Sequence, residues 1–288
     1  MSDPLQPSLE RLVELHRVKP SQPLALLDLV RYAAPDARES HLRALKELGG
    51  RIVWGGRVEL QFIGPAGDEW DDLLIIEFPS RTALVERMPR ARSLEGVLAR
   101  RLCLAASPGG RTIPRLTHGL RKLLPRLGLG PAPLLPADAR GRLIDGESPA
   151  AAGLGPSPEQ LEAFLSGDTG APIVMFNLLA YRERAHYDPQ VAGGEVSGRE
   201  AYARYGRGIA RLLLGVGAGP IWLGRAEQVL VGEPEAWDQF AVVEYPSRAA
   251  FLGMVTHPAY RSQTHHRDAG LQRTELVQCT PWAEFGGR

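Results

Sequence analysis

The segment EWDDLLIIEFPSR at 69–81 returns as AWDQFAVVEYPSR at 236–248, 167 residues later. No other feature constrains the fold as strongly, because self-similarity at this scale means two copies of one supersecondary unit. Further segments recur in the same order. SLERLVEL (8–15) meets PEQLEAFL (158–165), LALLDLVRY (24–32) meets IVMFNLLAY (173–181), and WGGRVE (54–59) meets WLGRAE (222–227). The spacing changes only through insertions, the largest being the Gly-rich HYDPQVAGGEVSG at 186–198.

Each copy reads as the same run of elements. A short helix (about 8–15 and 158–166) precedes an apolar strand (24–31 and 172–179) whose unbroken hydrophobicity predicts burial on both faces. An amphipathic helix follows (36–48 and 199–214), then a strand (51–62 and 220–231), a turn, and a strand (71–78 and 238–245). Pro79 and Pro246 stop that strand, and Ser80 and Ser247 stand where a helix N-cap belongs. A second helix and a last strand carrying a cysteine complete β-α-β-β-α-β, the ferredoxin-like unit. The fold class is therefore α+β. A sheet with helices on one face leaves the other face bare. Two fused ferredoxin-like (βαββαβ) units cover each other, which predicts a pseudo-dimeric α+β barrel with two sheets around a shared core. Residues 1–107 make a degenerate first unit, 108–156 a connector, and 157–288 a second, site-bearing unit.

The connector is rich in Pro and Gly and carries Arg111, Arg115, Arg121, Lys122 and Arg126 ahead of its first acid, Asp138. A helix over roughly 114–124 fits it, with Pro114 in the first turn and Pro125 beyond the end. That helix is either a solvated spacer pinning one unit to the other or a contact for an anionic surface. The whole chain has net charge +1, so nothing general points to nucleic acid or membrane as a partner. Its 288 residues are 44% hydrophobic, as expected of globular domains. Cys103 and Cys279 lie in apolar stretches without metal-binding spacing and read as buried, reduced thiols. No secretory pattern or membrane-length apolar run is evident, so a cytoplasmic protein is expected, monomeric or homodimeric.

The segments PIVMFNLLAYR, GREAYARYG, WLGRAEQVLVG, WDQFAVVEYPSRAAFLGMV and HPAYRSQTHHRDAGL, spread over about 160–280, resemble the family known as domain of unknown function 1330. The first unit is similar over 8–106 but departs from the pattern at MPRARSLEGVLARRL. The resemblance implies the dimeric α+β barrel fold and says little about activity. Fold relatives include antibiotic-biosynthesis monooxygenases, muconolactone isomerases and haem-binding chlorite dismutases, and a shared fold does not transmit their chemistry.

Candidate site residues cluster in the second unit. A simple hairpin centred within 233–236 sets Arg225 opposite Glu244, and one centred on Gly67 sets Arg57 opposite Glu77. Such a pair is either a structural ion pair or a clamp in which Arg holds an anionic substrate and Glu orients it. His265 and His266 have no counterpart in the first unit and are candidate general acids or bases, with Arg267 beside them. A three-histidine metal site with His257 is disfavoured, because adjacent helical residues point about 100° apart. Asn177 stands where the first unit has Asp28, and a polar side chain in that strand must be hydrogen-bonded or hold a ligand. Tyr202 and Tyr205 share one helix face, and Tyr181 is similar. Asp238 follows Trp237 at the opening of a strand and joins the ligand-binding candidates. The loop 186–198 lacks any phosphate-loop pattern and is either a lid or a plain connector.

These features lead to the expectation of a cofactor-independent enzyme of small-molecule metabolism, of isomerase, monooxygenase or cyclase type. Its substrate would be a modest apolar or aromatic molecule with a polar carbonyl or carboxylate. Asn177 and Arg225 would orient that substrate, and His265 or His266 would move a proton. A non-catalytic binding or scaffold protein is the alternative, and a haem protein a weaker one, since no attachment motif is present.

Overall fold

The two unbroken apolar runs become β1 (Leu24–Tyr32) and β5 (Ile173–Tyr181), the central strands of matching halves in a computed structural model of the chain. The structure describes residues 4–65, 70–88, 91–110, 112–123, 153–168, 170–191, 193–233 and 235–285. Gly67 and most of the connector, with Arg111, Pro125, Arg126 and Asp138, lie outside them.

In the first unit α1 (Leu9–Val18) leads to β1, then α2 (Ala37–Glu47), β2 (Arg51–Ile63), β3 (Asp72–Phe78), α3 (Arg81–Val85) and β4 (Leu98–Pro108). The connector supplies α4 (Thr112–Leu123), laid against the second unit, where the Thr117 hydroxyl donates to the Pro220 carbonyl at 3.4 Å. The second unit holds α5 (Pro158–Ser166), β5, α6 (Gly198–Gly215), β6 (Gly219–Val231), β7 (Gln239–Tyr245), α7 (Arg248–Thr256), α8 (Pro258–Arg261), α9 (Thr264–Gly270) and β8 (Leu271–Pro281). The serines of the repeated word cap their helices as expected. Ser80 Oγ accepts from Ala83 N and Ser247 Oγ from Ala250 N, each at 3.0 Å.

All eight strands join one closed barrel in the order β1-β3-β2-β8-β5-β7-β6-β4. Two ferredoxin-like units are thus fused into a pseudo-dimeric α+β barrel. Residues facing inward, such as Leu27, Ile75, Phe176, Phe240 and Val277, form the shared core. Alternate residues face outward, where α1–α3 cover the first sheet and α5–α8 the second. Each fully buried Leu or Ile side chain contributes about 1.5–3 kcal/mol.

The barrel closes because β2 and β6 outrun their hairpin partners. β2 pairs with β3 through Arg57 opposite Asp72, and from Gly56 to Ile63 it also pairs with β8 of the other unit. β6 likewise meets β4 from Gly224 to Val231. These connections are not simple hairpins, and the expected facing of Arg225 with Glu244 and of Arg57 with Glu77 is corrected. Arg225 stands opposite Gln239, and Glu244 opposite Gly219. In the first unit Glu77 faces Arg51, with Nη2 to Oε2 at 2.6 Å. Bulges at Ile52/Trp54 and Pro220/Trp222, together with early turns at Gly64 and Gly232 (φ +130° and +111°), shift both registers.

The arginine that ends the repeated word is the part that locks the units together. Arg81 is 1% exposed; its guanidinium donates to the carbonyls of Lys19, Gln22 and Pro23 and pairs with Glu227 of β6. Among the described residues the equivalent Arg248 makes one bond of this kind, to the Phe164 carbonyl at 2.8 Å. At the other seam Trp282, just past β8, donates from Nε1 to Asp72 Oδ1 (3.1 Å) and lies so close to Gly55 that a Cβ there would sit 2.5 Å from its ring. Arg81→Leu should cost about 3–5 kcal/mol by taking the buried guanidinium from Glu227 and three carbonyls, whereas Arg51→Ala, which removes an arginine that is itself 63% exposed, should cost clearly less. Equilibrium denaturation of the two variants checks this, and equal losses would contradict it.

Candidate functional site

Along β5 the odd-numbered residues face the helices, and Asn177 among them interrupts an otherwise apolar outer face. Above it lies a cavity of about 120 Å³, walled by Asn177, Tyr202, Tyr205, Tyr245, Tyr260, Thr264, Arg267 and Thr274 on its polar side. Apolar walls come from Leu161, Phe251, Leu252 and Leu276, and from Phe62 and Ile63 of the first unit. Residues Leu154, Gly155 and Pro156 run over it as a strap.

Each polar group has a definite state. Asn177 spends its amide protons on the carbonyls of Met175 (3.1 Å) and Ala241 (3.2 Å), which leaves its carbonyl oxygen to the cavity. Tyr205 donates to the Tyr260 hydroxyl at 3.0 Å. The hydroxyls of Tyr202 and Tyr245 have no hydrogen-bond partner among the described residues. Burial pushes the Tyr202 phenol up to about 12 and raises Tyr205 and Tyr245 as well, so all three are protonated donors at neutral pH. Arg267, on α9, bonds Asp268 (2.9 Å) and the Leu154 carbonyl of the strap (2.6 Å). Burial works against its charge, but the surrounding Tyr260, Tyr205, Asp268 and Tyr202 hold its pKa above the ordinary value.

Of the residues proposed from sequence, Asn177, Tyr202, Tyr205 and Arg267 come together here. Tyr181 packs behind Tyr202 (ring centroids 5.4 Å apart) and gives its hydroxyl to Gln239. Asp238 accepts from the Tyr181 backbone N–H at 2.8 Å and lies 3.5 Å from Arg199. Arg225 is half-exposed, 3.9 Å from Glu227. The His265 and His266 rings lie 4.0 Å apart, tilted by 43°, outside the cavity, and His266 Nδ1 shares a 2.8 Å hydrogen bond with the Tyr187 hydroxyl. Burial, His265 and Arg204 lower the His266 pKa, so its ring is neutral at pH 7. No described residue of the loop 186–198 lines the cavity; Tyr187 and the Arg204–Gly193 hydrogen bond (2.5 Å) tie it to α9 and α6.

Glu244 belongs to a different place. Two residues on from inward-facing Val242, it points into the barrel, as Glu77 does after Ile75. Both line a cleft of about 400 Å³ at the barrel mouth with Trp54, Trp222, Arg51 and Arg115. Its Trp54 and Glu77 recur as Trp222 and Glu244, but Arg51 is replaced by Gly219 and Arg115 comes from the connector; the polar groups of the smaller cavity all belong to the second unit.

The first unit shows how that asymmetry arose. Asp28 takes the place of Asn177, and Arg101, one strand over, that of Thr274. Arg101 pairs bidentately with Asp28 (2.7 and 2.8 Å), and His41 Nε2 lies 3.5 Å away, all three buried. The space left is about 20 Å³. The ion pair fills what the second unit leaves open. Sequence comparison of the copies flagged Asn177 against Asp28. It passed over Phe78 against Tyr245, though that difference lies inside the repeated word and adds a hydroxyl to the cavity. Tyr260 and the strap carried no such signal.

An eight-stranded barrel of two fused ferredoxin-like units, with a ligand-sized cavity between one sheet and its helices, defines a tandem protein of the dimeric α+β barrel class. Within that class the chain belongs to the family described as domain of unknown function (DUF1330), whose pattern matches residues 190–278. A protein of unknown function from Rhodopseudomonas palustris is 37% identical over 45% of this chain and 96% of its own, with a TM-score of 0.42. An anthrone oxidase-like protein (12% identity, 91% and 92% coverage, TM-score 0.44) and chlorite dismutase from Candidatus Nitrospira defluvii (12%, 94% and 94%, 0.42) are similar over most of both chains. At these values neither bears on the chemistry of the cavity. No curated protein matches the chain.

The Asp28 carboxyl is fully buried, which alone would raise its pKa, but Arg101 and His41 together bring it down to about 2. A depressed carboxylate stabilises the fold above its unfolded pKa of 3.8, and that contribution, on the order of 2 kcal/mol, is lost as pH falls toward 2. Asp28→Asn should therefore flatten the stability profile between pH 4 and 2 and cost about 3–5 kcal/mol at neutral pH, because Arg101 is left buried without its counter-ion. The double variant Asp28→Asn/Arg101→Thr, which copies the second unit, should recover most of that loss in denaturant titrations.

Proposed function

We propose that the second-unit cavity binds a small, largely apolar molecule through one carbonyl or carboxylate oxygen and polarises it there. The observation carrying this reading is the convergence of protonated phenols and a guanidinium on an apolar cavity whose counterpart is plugged by the protein's own ion pair. Tyr202, Tyr245 and Arg267 line one cavity, where fixed donors would stabilise negative charge developing on oxygen far better than water does. Asn177 supplies the complementary acceptor for a ligand hydroxyl or N–H. A cavity of this size takes roughly one six-membered ring or a short chain, and it cannot enclose a haem macrocycle.

In this reading activation is electrophilic, and the first unit is a structural partner. His265, His266, Arg225 and Glu244 have no part in holding the ligand. No carboxylate or imidazole is among the described residues of the lining, which favours binding without turnover as the second reading. A panel of short aromatic and aliphatic carboxylates and ketones, screened by thermal shift and then calorimetry, tests the proposal. At least one carboxylate should bind, about ten-fold or more weakly to Arg267→Gln and about five-fold more weakly to Tyr202→Phe; Arg225→Gln should bind normally. Unchanged affinity in both cavity variants would refute the site, and product formation would separate enzyme from binding protein.

A further inference from the structure

Part of the cavity's apolar wall is built from the other unit. Phe62 and Ile63, 5% and 6% exposed, sit at the tip of β2, which reaches the second unit because it continues past β3 to pair with β8, Gln61 with Val277 and Ile63 with Leu276. The tip is held firmly. Gln61 Nε2 donates to the Ile63 carbonyl (3.0 Å) and to Glu275 (3.2 Å), and Gln160 Nε2 donates to the Gly64 carbonyl (3.1 Å). Gly64 turns the chain at φ +130°, and a Cβ there would lie 2.4 Å from the Gln61 amide.

The aromatic rings in and behind the cavity lining form two contact groups, with Tyr245 packed on Phe251 of the first at 5.1 Å. Phe62 packs on Phe164 (centroids 4.7 Å) and Phe251 (5.7 Å). Tyr202, Tyr205 and Tyr260 form the other group, at 5.4 and 5.9 Å along the row, with Arg267 beside them. A bound molecule would therefore have Tyr202, Tyr260 and Arg267 in one contact group for its oxygen and the hydrocarbon of Phe62 and Phe251 in the other. Building on the function proposed above, we infer that the ligand is short and amphipathic, with its oxygen head at Arg267 and its apolar tail against Phe62. Phe62 and Ile63 of the first unit are then the specificity-determining residues that set tail length.

Calorimetry with two probe series tests this on the full chain: benzoate, phenylacetate and 3-phenylpropionate, and the uncharged benzene, toluene and ethylbenzene. The wild type should favour the shorter members of each series. Phe62→Ala should reverse the order, weakening the shortest acid by about ten-fold and tightening the longest by a similar factor, since each methylene in an apolar pocket is worth about that much. Arg267→Gln should weaken all acids alike and leave the hydrocarbon order untouched. Phe62→Leu, a milder change, should move both orders the same way and serves if the alanine variant does not fold. An unchanged order in both Phe62 variants would overturn the assignment. If no acid binds but the hydrocarbon order still reverses, the oxygen-binding reading falls and the length-setting role stands. If neither series binds, both fall.

Discussion

The barrel exists because edge strands must find partners. Every backbone N–H and C=O on an open sheet edge is an obligation that water or another strand has to meet. One ferredoxin-like unit of this chain would end in two such edges and one bare apolar face. Running β2 into β8 and β6 into β4 meets both needs at once, and Leu27, Ile75, Phe176 and Phe240 then bury against one another. The Arg81 lock and the Trp282 clasp sit on these same seams. The position of the cavity, like the two seams, requires strands long enough to serve two neighbours.

That length also explains why the units are not independent. Each outer layer is finished by the other unit's strand tip: Leu230 and Val231 enter the first unit's core, Phe62 and Ile63 the second's. With the frame shared, divergence between the copies is confined to the side chains that fill the two outer layers. In the first, Asp28, Arg101 and His41 close the space with charge. In the second, Asn177, Thr274 and Tyr202 stand in corresponding parts of the layer, and the guanidinium comes from α9, where the described residues of the first unit hold the short helix α3 before the last strand.

The fold was legible because it is written twice. Apolar runs at 24–32 and 173–181, prolines ending strands and serines capping helices are local signals, and duplication confirmed each by its copy. Register was not legible. Placing Arg225 against Glu244 assumed a simple hairpin, but the true pairing depends on bulges and on which unit claims the rest of each strand, neither of which composition records. Asn177, Tyr202, Tyr205 and Arg267 were found because they are polar residues in or beside periodic elements of the better-matched unit. The histidines drew attention by chemistry alone, and on α9 they point away from the face that carries Arg267 to the cavity. Phe62 and Ile63 could not be found this way, because only the barrel's connectivity brings them there.

The plugged first cavity has a consequence for stoichiometry. A symmetric dimer of single units would carry two equivalent sites and could link their occupancies. With the copies fused and the first unit's outer layer closed by its own ions, the described residues leave an outer-layer cavity in the second unit only. If the proposed ligand binds there, saturation of that cavity within one chain would follow a simple hyperbola, with the sealed unit acting as a rigid half-mould for its neighbour.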